Sequence, residues 1–246
     1  MEMIDWDQVY RVGHTPGWNI GRPQPEYETL INQEGIVKGE VLDAGCGYAE
    51  LSLALAARGH PVVGVDIAAA PIASAILTTA MRRLPSAKFI HADIMNLKRY
   101  ANRFSTIFDS GLLDVVPPKL HATYLRSILH MARADARLYI LAFAAGAFPG
   151  HTGTLPTQFS RDSLHQLVSA HWNIHSIRPA VIHARNAQLP DGSVAPDIVL
   201  DADRAVRLPA YLVIARKPVT EKGGKFSGFR ALIDKGTNGR MRRGQG

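Results

Sequence analysis

At 246 residues, with 46% hydrophobic and 20% charged side chains, the chain has the size and balance of one α/β domain with additions. It has no apolar run near the roughly 20 residues a membrane helix needs, an acidic start at 1–7 without a signal-peptide core, and a lone Cys46 that allows no intrachain disulfide. These features predict a cytoplasmic protein with no membrane partner. The formal charge of +7 sits mostly in residues 217–246, which hold eight Lys and Arg against Glu221 and Asp234 and read as a basic, unstructured tail.

Residues 1–35 open with scattered aromatics and turn formers, among them Trp6, Tyr10, Trp18, Gly21, Pro23 and Pro25, and a short helix is expected from Glu26 to Gln33, stopped by Gly35. A buried strand at 40–44 runs into the turn Asp43-Ala44-Gly45-Cys46-Gly47, and a helix follows from 49 to 58 with Leu51, Ala54 and Leu55 at helical spacing. Strand two is 62–66, ending in Asp66. A helix begins at Pro71 and runs to 84. Phe89 to Asp93 reads as strand three and Thr106 to Ser110 as strand four. The helix 120–132 and strand 137–144 come next. After the loop 145–159, a helix capped by Ser160 runs to about 171. Strands at 173–184 and 208–216 are joined by a long excursion, 185–207, rather than a helical crossover, which predicts an antiparallel ending. Alternating strands and helices otherwise require a mostly parallel sheet covered on both faces.

Gly45 and Asp66 stand about as far apart as the glycine turn and the ribose-binding acid of a nucleotide-binding βαβ unit. The acid Asp43 ahead of the glycines would repel a pyrophosphate and suits a ligand carrying an ammonium and a sulfonium. That ligand would be S-adenosylmethionine (SAM), and a dinucleotide is disfavoured.

Over residues 36–216 the strand and motif order resembles class I SAM-dependent methyltransferases, which implies a Rossmann-like seven-stranded sheet with an antiparallel last strand. The stretch Trp6-Asp7-x-x-Tyr10 together with Pro16 to Pro25 is similar to the N-terminal cap of the small-molecule subgroup that includes thiopurine methyltransferase-like and actinobacterial quinol or heterocycle methyltransferase-like proteins. The resemblance implies that Asp43, Gly45 and Gly47 face the methionine part of SAM and that Asp66 accepts from its ribose hydroxyls. Ile67 would cover the adenine, Asp93 and the Ile94 backbone would meet its amino group, and Asp109 would lie beside the methionine. Trp18, in a cap that also contains Gly21, would wall the site. The third glycine of the signature is replaced by Ala49, and Tyr48 stands where a small residue is common.

A general base for an oxygen, sulfur or nitrogen acceptor is sought at Asp114 or His151, in the two variable loops. No His/Cys spacing suggests a metal site. The expected activity is methyl transfer by in-line displacement to a small aromatic or heterocyclic acceptor. The alternatives are an RNA-modifying methyltransferase anchored by the basic tail and a non-catalytic SAM-binding protein. The Asp109-Ser110-Gly111-Leu112 segment lacks the Asn-Pro-Pro-Tyr pattern of base-amino methyltransferases, which disfavours a nucleic-acid partner.

Overall fold

The computed structural model describes residues 4–11, 16–151, 156–186 and 206–219. The basic tail beyond 219, its apolar patch 226–233, and the excursion 187–205 lie outside the described residues. Strands β1 (Val41–Ala44), β2 (Val62–Asp66), β3 (Ala87–His91), β4 (Phe104–Ser110), β5 (Ala132–Phe143), β6 (Asn173–Ala184) and β7 (Val206–Arg216) form one sheet in the order β3-β2-β1-β4-β5-β7-β6. The first five pair in parallel, and β7 inserts antiparallel between β5 and β6. The seven-stranded, mostly parallel sheet with an antiparallel ending is therefore as the sequence predicts.

Every residue of β1 and β2 is buried, as expected for central parallel strands covered on both sides. Side chains alternate between two cores. Leu42, Val63, Ile107, Leu138 and Ile140 pack under helix α6 (His121–Met131), which buries Tyr124, Leu125 and Ile128, and under α7 (Arg161–Ser169). Val41, Val62, Phe108, Tyr139 and Leu141 pack on the other face against α2 (Pro25–Ile31) and α3 (Glu50–Ala57). Two further helices are α1 (Trp6–Arg11) and α4 (Ala69–Met81), and α5 (Leu112–Val115) is a single turn after β4.

Several boundaries differ from expectation. Strand three ends at His91 rather than Asp93, because Asp93 leaves the ladder to cap a 3-10 turn over Ile94–Asn96. Helix α4 starts two residues before Pro71, which leaves the proline in its first turn, where its missing N–H costs nothing. β5 begins at Ala132, earlier than 137, and Asp135 has a left-handed φ of 59° within it. The Ser160 cap holds: its hydroxyl accepts from Ser163 N–H at 3.1 Å.

Tyr27 joins α2 to the sheet. Its ring is wholly buried against Phe108 and its hydroxyl donates to the carbonyls of Asp109 and Tyr139. Tyr27→Phe leaves those carbonyls without this donor in the core and should cost about 1–3 kcal/mol in urea unfolding; a loss below about 0.5 kcal/mol would show that the bond carries no net stability.

Candidate active site

The C-terminal ends of β1, β2 and β4 bring the sequence motifs together. Gly45 and Cys46 donate their N–H groups to Val65 O (2.9 and 3.0 Å), which folds the turn back across β2. Gly47 N–H donates to Asp66 Oδ2 at 2.8 Å, and Ala68 N–H to Asp66 Oδ1 at 2.9 Å. One carboxylate thus fixes both the glycine turn and the entry to α4. Gly45 (φ +67°) and Gly47 (φ +50°) need the left-handed region. A Cβ at Gly45 would lie 2.9 Å from Leu112 Cβ, and one at Gly47 would lie 2.9 Å from the Tyr10 hydroxyl. The turn is a bare-backbone cradle. Ala49 also takes a left-handed φ, 65°, at the start of α3, where the family signature has its third glycine.

Register decides where the acids point. Asp43 pairs with Phe108 and Ala44 with Asp109, so Asp109 shares the face of Ala44, opposite to Asp43. Asp43 turns toward α3, where its Oδ2 accepts from the Ser52 hydroxyl at 2.6 Å. Asp109 turns toward α5 and α6: Oδ1 accepts from Leu112 N–H at 2.7 Å and Oδ2 from the Tyr124 hydroxyl at 2.7 Å. Burial pushes both carboxyls up from the ordinary 3.8 to about 6, against the lowering effect of those hydrogen bonds. Asp66 is raised by burial as well, with its backbone N–H bonds opposing the shift.

The remaining predicted residues are spread around this centre. Ile67 is 54% exposed beside Asp66. Asp93 is half-buried and accepts from Met95 N–H at 2.9 Å and from the Asn96 amide at 2.8 Å, and the Ile94 side chain is in the core. Trp18 stacks edge-on with Trp6 and Tyr10 (6.3 and 6.4 Å between centroids), and Tyr10 packs at 5.4 Å on Tyr48. Tyr48 therefore supports the cap directly above the turn. Gly21 lies apart, beside Arg185 and a hollow of about 330 Å³ against α3.

Of the two base candidates, Asp114 is fully buried. Its Oδ1 accepts from Phe143 N–H at 3.1 Å, and its Oδ2 has no hydrogen-bond partner among the described residues. Burial, reinforced by Asp109, pushes its pKa well above the ordinary 3.8, against the lowering effect of the Phe143 N–H. His151 is half-buried, its ring edge-on to Phe148 at 6.4 Å, and Phe148 in turn packs on Phe143 at 4.8 Å. One aromatic wall thus links both candidates. Sequence reasoning assigned no role to Ser52 or Tyr124 and named Tyr10 only within the cap motif; the apolar-polar alternation of α3 and α6 carried no signal for these partners.

The family model for Thiopurine S-methyltransferase matches residues 1–194, a span that contains the cradle, the acid behind it and the aromatic cap. The chain belongs to this family. It is 42% identical over 177 residues, 72% of this chain and 77% of the other, to a 2-heptyl-1-hydroxyquinolin-4(1H)-one methyltransferase of Mycobacteroides abscessus. Among solved structures it is similar to one described for the conversion of a disulfide bond into a thioacetal group during echinomycin biosynthesis, with TM-score 0.72, 29% identity, and 86% and 91% of the two chains covered. The fold is also that of a Burkholderia thailandensis 1,6-didemethyltoxoflavin N1-methyltransferase with bound S-adenosylhomocysteine (TM-score 0.59, 22% identity, 86% and 79% covered). This is therefore a small-molecule SAM-dependent methyltransferase. No helix among the described residues is long and apolar enough to cross a membrane.

The raised carboxyl at Asp43 has a measurable consequence. The native state keeps that proton while the unfolded chain has already released it, so between about pH 4 and about pH 6 the wild type loses stability as pH rises. Asp43→Asn, which cannot ionise, should gain on the wild type by up to about 1.4 kcal/mol per pH unit across that window in denaturant titrations. A difference between the two proteins that stays constant with pH would show that Asp43 is not raised.

Proposed function

We propose that this methyltransferase moves the methyl group of SAM to an oxygen, sulfur or nitrogen of an aromatic heterocycle, with a hydroxyquinolone-like ring as the first acceptor to test. The observation that carries this reading is the aromatic wall of Phe143, Phe148 and His151 at the end of β5, in a chain 42% identical to a hydroxyquinolone methyltransferase. A flat heterocycle packs on ring faces and edges of this kind.

In this proposal the cap, residues 1–35, closes over a methyltransferase domain of residues 36–216. Asp66 keeps one lone pair on each oxygen for ribose hydroxyls while its backbone bonds hold the cradle. Gly45 and Gly47 admit the methionine part. Asp43 holds its charged end, directly or through water, and Asp109 acts through the backbone by fixing the 111–113 turn beside it. Ile67 covers the adenine, and Asp93 and the Ile94 backbone meet its amino edge. Trp18 and Tyr10 exclude water above, with Gly21 allowing the strap to bend. Gln24 anchors that strap to β6 by a reciprocal pair of bonds with the His183 backbone, at 2.8 and 2.9 Å. Asp7 Oδ1 accepts from Ala70 N–H at 3.0 Å and so docks α1 on the start of α4.

When bound, SAM supplies a methyl carbon already activated by a sulfonium. The protein's share is alignment and exclusion of water. A protonated acceptor must also lose its proton. Asp114 stands at the inner end of the aromatic wall and His151 at the outer end, and we assign the proton to one of them. We place the enzyme in the cytoplasm, acting on small molecules rather than nucleic acid.

A methyl-donor assay across hydroxyquinolines, thiopurines, phenols and alkyl thiols, read by product mass, should find the best turnover among the heterocycles. Turnover confined to non-aromatic acceptors would overturn the substrate class. Within the same assay, Asp114→Asn should lower kcat by about 10²-fold for acceptors that are protonated at neutral pH and leave already ionised ones nearly unchanged. Equal losses on both would remove Asp114 from proton transfer.

A further inference from the structure

Among the described residues, five large hydrophobic side chains are more than half exposed, and three of them lie on one helix: Ile76 (52%), Leu77 (61%) and Met81 (68%) on α4. With the exposed Ala73 and Ala80 they recur at the i, i+3, i+4, i+7, i+8 spacing of a single helical stripe. Helices bury such a stripe against something, yet α4 already packs its inner side, through Ile72 and Ala75, on β2 and β3. The stripe borders a groove of about 500 Å³ whose lining mixes Ile76 and Phe89 with Thr79, Lys88, Tyr100 and Arg103, so the apolar surface ends at Ile76 on the side of the edge strand β3.

We propose that α4 is a homodimer interface, with the stripe of one copy packed antiparallel on that of a second copy about a two-fold axis at Leu77. Three features fit a second copy. In that register Met81 of each copy faces Ala73 of the other, large against small on both sides of a central Leu77 pair. A two-fold axis repeats each such contact, as an isologous interface requires. The charges also match: the exposed Arg83 at the end of α4 comes over the start of the other helix, where Asp7 accepts from Ala70 N–H and Asp5 is exposed. Antiparallel packing additionally opposes the two helix dipoles. The chain's own basic tail is the competing occupant and is disfavoured by charge, because the seven Lys and Arg beyond residue 219 would meet Arg82, Arg83 and Lys88, all exposed around the stripe.

Sedimentation velocity and light scattering on the full-length protein, at concentrations up to on the order of 100 μM, test this directly. The wild type should show twice the 26.8 kDa chain mass, and Leu77→Glu should show the single-chain mass with native circular dichroism and an unfolding midpoint equal to that of the wild type diluted to single chains, since Leu77 contributes little to the monomer core. Arg83→Glu, a second exposed change, should weaken the dimer by about 3- to 10-fold at low salt, with the difference closing at high salt. A wild type that remains at single-chain mass, or a dimer indifferent to Leu77→Glu, overturns the proposal. A wild type at single-chain mass that becomes dimeric once residues 220–246 are deleted also overturns it and puts the basic tail on the stripe.

Discussion

The Asp66 carboxylate is the constraint on which the rest of the site depends. Its two oxygens accept one N–H from the glycine turn after β1 and one from the start of α4, so two loops on neighbouring strands share a single anchor. The turn cannot be built any other way: Gly45 and Gly47 occupy the left-handed region, and their missing Cβ atoms leave the space that Leu112 and Tyr10 approach. The bare backbone is thus both what a ligand can lie on and what Asp66 must hold in place. Burying that carboxylate raises its pKa, and the backbone bonds limit the rise.

Strand alternation then sorts the acids that crowd this end of the sheet. Asp43 and Asp109 lie on adjacent strands but project from opposite faces, one to Ser52 and the other to Tyr124. Had both pointed to one face, two buried carboxylates would repel each other across the β1–β4 pair, where low polarity screens poorly. Separation lets each find its own hydroxyl donor. The two acids accordingly differ in what they can do: Asp43 lies under the cradle, and Asp109 orders the turn beside it.

Much of this architecture was legible in the sequence, because it rests on short-range signals. Continuous apolar runs such as Val62 to Val65 mark buried parallel strands, and the acid–glycine turn with Asp66 marks the βαβ unit. The lack of a helical pattern in the sequence 185–207 marks the antiparallel ending. What escaped was set by partners distant in the chain. The Ser52–Asp43 and Tyr124–Asp109 bonds join residues from different elements, and nothing in the local pattern of α3 or α6 distinguishes these hydroxyls from any other. The end of β3 was misplaced for a similar reason: Phe89 to Asp93 keeps strand-like alternation, but Asp93 gains more from capping Met95 and bonding Asn96 than from continuing an edge ladder. The proline rule misplaced the start of α4, since a proline in the first turn begins a helix as readily as at its first residue.

The cap is held by few bonds compared with the sheet below it. Ahead of α2, residues 4–24 are tied to the body by Asp7 on Ala70, Gln24 on the His183 backbone, Arg185 N–H on Gly17 O, the Tyr48 hydroxyl on Tyr10 O and a cluster of four aromatic rings. Units with few buried contacts open most readily, which suits a cover that must admit a cofactor to a cradle lying beneath Tyr10. The most direct test of the account is calorimetric titration of SAM into the wild type and into Asp66→Ala, with unfolding midpoints measured alongside. The account predicts clear binding to the wild type and at least about a 10-fold loss in the folded variant, or about 1.4 kcal/mol. Equal affinity in the two folded proteins would contradict it.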